Sequence, residues 1–311
     1  MHDAQCTISI VVPVFNNEQS LLPLFSEVLV LEEKLSSIGV STELIFVDDG
    51  SEDRSWSVMK EIKIQRPSTK IVKLSRNFGA NKCVKAGLQF VTGDAFTALA
   101  ADLQDPPLLI LEMVKEWSLG HKLVVCERRR RSDPFLTKFF SGFFYRILRR
   151  IALPDYPSGG FDMLLADKQL VPYLSNSAQS ASLPILAFWL GFDIKVLRYD
   201  RQEREGGSSG WTFFKKLNYS LDILLSYSMF PLRMFSVIGF LVSFFSFFYG
   251  SFIFVNALLG RISVDGFATV VVLLTFFQGL VILMLGLVGE YLWRISLEVS
   301  KRPESVVDEY H

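Results

Sequence analysis

From residue 8 to residue 199, unbroken apolar runs that end in polar residues alternate with segments whose apolar positions recur every three or four residues. Residues 8–14 form the first run, closed by Phe15-Asn16-Asn17-Glu18. A run of that kind fits a strand buried on both faces. Leu21, Leu24, Phe25, Val28, Leu31 and Leu35 then repeat at helical spacing up to Ser37. A second strand at 44–47 closes on Asp48-Asp49-Gly50-Ser51, and a helix follows with Trp56, Met59 and Ile62 inward. A strand is predicted at 71–74, a helix over 81–91, a strand at 95–101, a helix from Pro107 through Trp117, and strands at 123–126 and 194–199. Strands and helices alternating at this interval predict an α/β domain with a mostly parallel sheet. Ligands of such sheets sit beyond the carboxyl ends of the strands. Glu18, Asp48, Asp49, Arg76 and Asp102 all fall at those ends, which makes them candidates on one rim.

The run at 95–101 gives way to Asp102-Leu103-Gln104-Asp105, and Pro106-Pro107 stops the strand from continuing. A buried strand that delivers oxygens at its carboxyl end suits a hard divalent ion, the usual partner of a nucleotide diphosphate. A plain strand followed by a proline-capped turn is the alternative. Asp48-Asp49-Gly50-Ser51 taken alone also reads as a turn with a helix cap at Ser51 or Asp53.

Past residue 130 the pattern changes. Residues 134–151 are amphipathic and aromatic, with Arg146, Arg149 and Arg150 on the polar side, and glycines and prolines gather from 154 to 160. Residues 201–211 break all periodicity. From Trp211 to Phe230 an amphipathic helix resumes, of a kind that lies in a membrane interface. No charged residue stands between Arg233 and Arg261, and none between Asp265 and Glu290. Each stretch exceeds the roughly 20 residues needed to cross a bilayer, so two transmembrane helices are predicted. The expected division is a catalytic domain over 1–210, an interface helix over 211–232, a two-helix membrane domain over 233–295 and a cytoplasmic tail over 296–311.

Charge sets the orientation. Lys215, Lys216 and Arg233 precede the first stretch, Arg294, Lys301 and Arg302 follow the second, and the loop between carries only Arg261. By the positive-inside rule both ends are cytoplasmic, giving a multi-pass protein of the inner (plasma) membrane. The chain begins without a signal-peptide pattern. Over all 311 residues, 32 basic side chains balance 32 acidic ones, which argues against a nucleic-acid partner. Cys6, Cys83 and Cys126 lack metal-ligand spacing and read as reduced packing residues.

Four motifs in order carry a resemblance. Val11-Val12-Pro13-Val14-Phe15-Asn16-Asn17-Glu18, Val47-Asp48-Asp49-Gly50-Ser51, Arg76-Asn77-Phe78-Gly79 and Ala101-Asp102-Leu103-Gln104-Asp105-Pro106-Pro107 resemble the signatures of glycosyltransferase family 2. Its membrane-bound polyprenyl-phosphate branch, similar to dolichol-phosphate mannose synthase and including the bactoprenol glucosyltransferases, also has Gly289-Glu290-Tyr291-Leu292 and Arg302-Pro303 in the tail. The resemblance implies a Rossmann-like GT-A domain. It makes Pro13, Phe15, Glu18, Asp48, Asp49 and Arg76 donor contacts, and Asp102 with Gln104 the ligands of Mg²⁺ or Mn²⁺. The family's metal motif is Asp-X-Asp, and Ala100 stands where its first acid would be. Arg201 and Arg204 match the family's phosphate-gripping arginines, with Ser209 and Trp211 after them, and Gly210 where a lysine is frequent. A charged linker is the other reading of that segment. Asp162, and more weakly Asp155, match the acceptor-side loop around Gly159, Gly160 and Phe161, although either acid also reads as a turn residue. Asp105 reads as a helix-initiating acid, and Arg128 to Arg131 as a solvated or headgroup-facing run.

The implied activity is inverting transfer of a hexose from a nucleotide diphosphate sugar, UDP-glucose by similarity, to a polyprenyl phosphate at the cytoplasmic membrane face. Asp102, Asp162, Arg201 and Arg204 would be its catalytic residues. A processive polysaccharide synthase and a catalytically silent scaffold of the same fold are the alternatives, and a homo-oligomer is compatible with the sequence.

Overall fold

A computed structural model of the chain describes residues 6–129, scattered positions from 142 to 157, residues 160–177 and 182–200, scattered positions from 237 to 259, and residues 266–300 and 302–311. Two compact units result, one formed by Met1–Ser220 with Pro303–His311 and the other by Leu221–Arg302.

The first unit is built on an eight-stranded sheet: β1 (Cys6–Val14), β2 (Val40–Asp48), β3 (Lys70–Leu74), β4 (Ala95–Ala98), β5 (Leu123–Arg128), β6 (Met163–Asp167), β7 (Ile194–Tyr199) and β8 (Val307–Tyr310). Their order is β7-β5-β6-β4-β1-β2-β3-β8. β1 pairs in parallel with β2 and β4, β2 with β3, and β5 with β7. β6 is antiparallel to β4 and β5, and β8 is antiparallel to β3. The sheet is therefore mixed and mostly parallel.

Helices cover both faces, which explains why the strands read as continuous apolar runs. Ile8, Ile10, Val12, Val14, Leu44 and Phe46 pack with α1 (Leu21–Ser36), α2 (Ser55–Gln65) and α4 (Leu109–Ser118). Val11, Ile45 and Val47 face the other way, toward α3 (Ala80–Leu88), α5 (Val171–Ser175) and α6 (Leu183–Trp189). Each such side chain, fully buried, contributes roughly 1.5–3 kcal/mol. Gly87 lets α3 lie close on the sheet, since a Cβ there would stand 2.5 Å from Val11 Cγ1 and 3.0 Å from Val47 Cγ2. Cys6, Cys83 and Cys126 are unpaired thiols.

Pro13 sits in the central strand without breaking its ladder. Val11 O accepts from Leu99 N and Val14 O from Asp49 N, so residues 11 and 13 turn their backbone groups toward β4 and residue 14 toward β2. The β1–β4 pairing ends at Val11 with Ala98, so the N–H that proline lacks would have had no strand to meet. The same early end leaves Leu99 to Gln104 outside the ladder, where the sequence pattern carried the strand on to residue 101. Two strands were not legible. β6 is a five-residue stretch following a glycine-rich loop, and β8, Val-Asp-Glu-Tyr, is short and largely exposed.

In the second unit α7 (Phe267–Val299) spans 33 residues. Its portion Phe276–Val299 is long and apolar enough to cross a membrane, with a mean hydropathy of 1.7. That is the single such helix among the described residues; the first predicted span, between Arg233 and Arg261, is described in part only, where positions such as 237–242 are helical. The predicted interface helix over 211–232 lies outside the described residues. Within the segment expected as a cytoplasmic tail over 296–311, α7 continues to Val299, and Val307–Tyr310 is an edge strand of the first unit.

Candidate active site

The loops that leave β1 and β2 are laced together by reciprocal hydrogen bonds. Asn16 N donates to Ser51 Oγ at 3.0 Å, Asn17 N to Ser55 Oγ at 2.9 Å and Glu18 N to Asp53 Oδ2 at 3.1 Å. In return Glu52 N donates to Asn16 Oδ1 at 2.9 Å, and Arg54 N to Glu18 Oε2 at 3.0 Å. Asn16 adopts φ +53°, a left-handed conformation that asparagine accepts more readily than most residues. Glu18 thus closes the start of α2 with one oxygen, and Phe15 stands exposed at the rim.

Asp48 and Asp49 end β2 beside Val14 of β1 and are both buried. Asp49 accepts from Phe78 N at 2.7 Å and Gly79 N at 2.8 Å, which fixes the loop after β3. Asp48 Oδ1 accepts from Ser51 N at 3.1 Å, whereas Oδ2 is buried with no hydrogen-bond partner among the described residues. Burial raises both carboxyls above the ordinary aspartate value, against the pull of the N–H groups they accept. A buried carboxylate oxygen without a partner is an acceptor suited to a polar ligand. Gly50 follows at φ +71°, where a Cβ would lie 2.6 Å from the Arg76 carbonyl carbon, so only glycine lets the two loops touch. Arg76 is exposed, its guanidinium 4.5 Å from the centre of the Phe78 ring.

At the end of β4 the chain turns through Leu103 at φ +57°. Asp102 and Gln104 flank that residue, both half-buried, with Gln104 N 3.3 Å from Asp102 Oδ1. Among the described residues no group of three or more acidic, histidine or cysteine side chains could hold a metal ion.

Asp105 does not start a helix, which corrects its sequence reading. α4 begins four residues later at Leu109, and the acid in its first turn is Glu112. Asp105 is instead buried and accepts from Tyr199 Oη at 2.5 Å. Tyr199 Oη also lies 3.3 Å from Asp162 Oδ2, and Arg128 grips Asp162 with Nε and Nη2, each at 2.5 Å. Burial, and then the Asp105 hydrogen bond and charge, push the Tyr199 phenol well above its usual value, so it remains a donor. Arg128 is therefore an ion-pair partner and not part of a solvated run, while Arg129 reaches Asp200 at 3.7 Å. Asp155, Gly159, Arg130, Arg131, Arg201, Arg204, Ser209 and Trp211 lie outside the described residues.

Register brings Pro13, Phe15, Glu18, Asp48, Asp49, Arg76, Asp102 and Gln104 to the carboxyl edge of β1–β4, as the alternating pattern required. Sequence reasoning missed Tyr199 and Arg128. A tyrosine ending a strand and the first of four arginines carry no local signal of a partner distant in sequence.

A family model described as Glycosyl transferase family 2 matches residues 9–170. An uncharacterized glycosyltransferase of Synechocystis sp. is 32% identical over 304 residues, 97% of this chain and 95% of that protein. A prophage-derived bactoprenol glucosyl transferase of Shigella flexneri is 31% identical over 306 residues, 98% of each chain. The prophage bactoprenol glucosyl transferase homolog of Escherichia coli K12 is 30% identical over 302 residues, 96% of this chain and 98% of that one. Among solved structures, glucosyl-3-phosphoglycerate synthase of Mycobacterium tuberculosis in complex with Mn²⁺, UDP-glucose and phosphoglyceric acid is 17% identical, covering 72% of this chain and 79% of its own, with a TM-score of 0.49. The family model takes in β1 through β6 and every motif on the rim, and the relatives match nearly end to end. This chain belongs to glycosyltransferase family 2 and is a glycosyltransferase with the family's Rossmann-like GT-A domain.

Proposed function

We propose that this enzyme transfers a hexose, glucose from UDP-glucose in the first instance, to a polyprenyl phosphate at the cytoplasmic face of the plasma membrane. The observation that carries this reading is the 31% identity over 98% of the chain to a bactoprenol glucosyl transferase, because the likeness extends through the apolar C-terminal third. The unpartnered Asp48 Oδ2 supports a nucleotide donor, whose base and ribose offer N–H and O–H groups to a carboxylate. Asp102 and Gln104 suit Mg²⁺ or Mn²⁺, since Mg²⁺ commonly takes one or two protein ligands beside substrate phosphates. Such an ion, when bound, supplies charge compensation for the departing diphosphate.

The acceptor sets what the remaining residues do. A phosphate monoester has a second pKa near 6 and arrives mostly as the dianion at neutral pH, so it attacks the anomeric carbon without a base. The protein's part is orientation and charge compensation, assigned here to Arg201 and Arg204, with the Arg128–Asp162–Tyr199 network beside the acceptor.

The pairing of β8 with β3 supports two membrane crossings. Strands on either side of the apolar segment join one sheet, because β8 pairs with β3, so the chain returns to the side of the membrane that it left. The number of crossings is then even: α7 supplies one, and residues 234–260, free of charge, supply the other.

Membranes containing the protein, incubated with undecaprenyl phosphate and a panel of radiolabelled nucleotide sugars, test the reading. Lipid-extractable label with UDP-glucose is expected. Label in polymer, or no label with any donor, would overturn it.

A further inference from the structure

The final residues reach the loop that follows β3. Val306 O accepts from Ser75 N at 2.9 Å, and His311 exchanges two backbone hydrogen bonds with Ile71, at 3.0 and 2.9 Å. Tyr310 stacks on Phe90 with ring centres 4.6 Å apart. Lys85 of α3 is buried, its ammonium 2.7 Å from Glu304 Oε1 and 2.6 Å from Ser177 O. A buried ammonium left without its carboxylate is costly, so α3 and the tail are held to one arrangement. Between these two attachments runs the loop Ser75–Gly79, fastened at Ser75 by the tail and continuing at Gly79 into the helix that carries Lys85. It also meets the β2 turn: the Arg76 backbone lies against Gly50, and the Phe78 and Gly79 N–H groups hold Asp49.

We propose that Pro303–His311 is a positioning element for the donor site, with Glu304 and β8 setting the Ser75–Gly79 loop so that it closes on the Asp48-Asp49 turn. This rests on the reading that the turn binds the nucleotide sugar. The influence of the tail falls on donor binding and not on the chemical step.

The test uses the full-length protein in nanodiscs, with UDP-glucose KM and kcat measured at saturating undecaprenyl phosphate, UDP Kd by calorimetry, and melting in the same preparations. Glu304→Ala is expected to raise the UDP-glucose KM and the UDP Kd about tenfold, the worth of one charge-assisted hydrogen bond, with kcat within about twofold. Glu304→Gln, which keeps an acceptor for Lys85, should recover part of the loss. A chain ending at Arg302 should show the same KM defect, relieved by adding the peptide Pro303–His311. Donor constants unchanged within about twofold in Glu304→Ala would overturn the proposal even if the truncated chain does not fold, and so would a lower melting point with unchanged KM. A wild-type protein that binds no UDP and turns over no nucleotide sugar would instead overturn the donor reading on which the proposal stands.

Discussion

Asp48 and Asp49 adjoin in sequence but have opposite commitments, and replacing each by asparagine separates ligand binding from loop stability. Asp48→Asn keeps the shape and the Oδ1 bond to Ser51 N, and removes the charge on the side where Oδ2 has no partner. Burial raises the Asp48 pKa above its unfolded value. The stability tied to such an acid is present below the unfolded pKa and lost as pH rises through the folded one, so at pH 7 its ionisation weighs against the free fold. A buried unsatisfied polar group costs about 1–3 kcal/mol, and Asp48→Asn is expected to melt no lower than wild type. With nucleotide bound the sign reverses. Loss of one charge-assisted hydrogen bond costs about 1.5–3 kcal/mol, or about 10- to 150-fold in UDP Kd. In Asp49→Asn the new amide must turn an NH₂ toward either Phe78 N or Gly79 N, so one of the two bonds is lost and two donors face each other. That loss of about 1.5–3 kcal/mol lowers the melting point by about 3–12 °C. Calorimetry with UDP and fluorescence-monitored melting of both variants are the assays. Wild-type UDP affinity should also fall as pH drops through the raised Asp48 pKa, and the Asp48→Asn profile should be flat there. Asp48→Asn binding UDP within about twofold of wild type, or melting below Asp49→Asn, refutes the division of labour.

Tyr199→Phe removes the donor that Asp105 accepts at 2.5 Å, and should cost about 1–3 kcal/mol, or about 2–12 °C of melting temperature; an unchanged melting curve would show that the network carries no stability. Asp102→Asn should lower kcat about a hundredfold, some 3 kcal/mol of transition-state stabilisation, and full activity of this variant in excess chelator would remove the metal from the account. A cysteine at Ser263 should react with an impermeant thiol reagent on intact cells and one at exposed Asp308 should not, with the reverse pattern contradicting the even number of crossings.

Where a physical constraint acts along the chain, the sequence displays it. A strand covered on both faces has to be apolar throughout, so β1, β2 and the β3 core could be located from residue type alone, and the polar residues that end them marked the rim. Acids at strand ends follow from the same constraint, which is why the rim positions of Asp48, Asp49 and Asp102 were legible. The remainder depends on partners that meet only in three dimensions. Asp105 reads locally as the acid before a proline-led helix, and its partner Tyr199 is 94 residues away, so neither residue type nor spacing joins them. Lys85 reads as a polar position on an amphipathic helix, yet its carboxylate stands 219 residues later, beyond the whole apolar segment. An edge strand has half the neighbours of a central one and therefore half the reason to be apolar, and β8 accordingly looks like a tail. The C-terminal edge strand is thus one place where this sheet hides its contacts. Strand register fixes which acids can share a ligand, while long-range pairs such as Lys85–Glu304 and Tyr199–Asp105 fix how rigidly the loops bearing those acids are held.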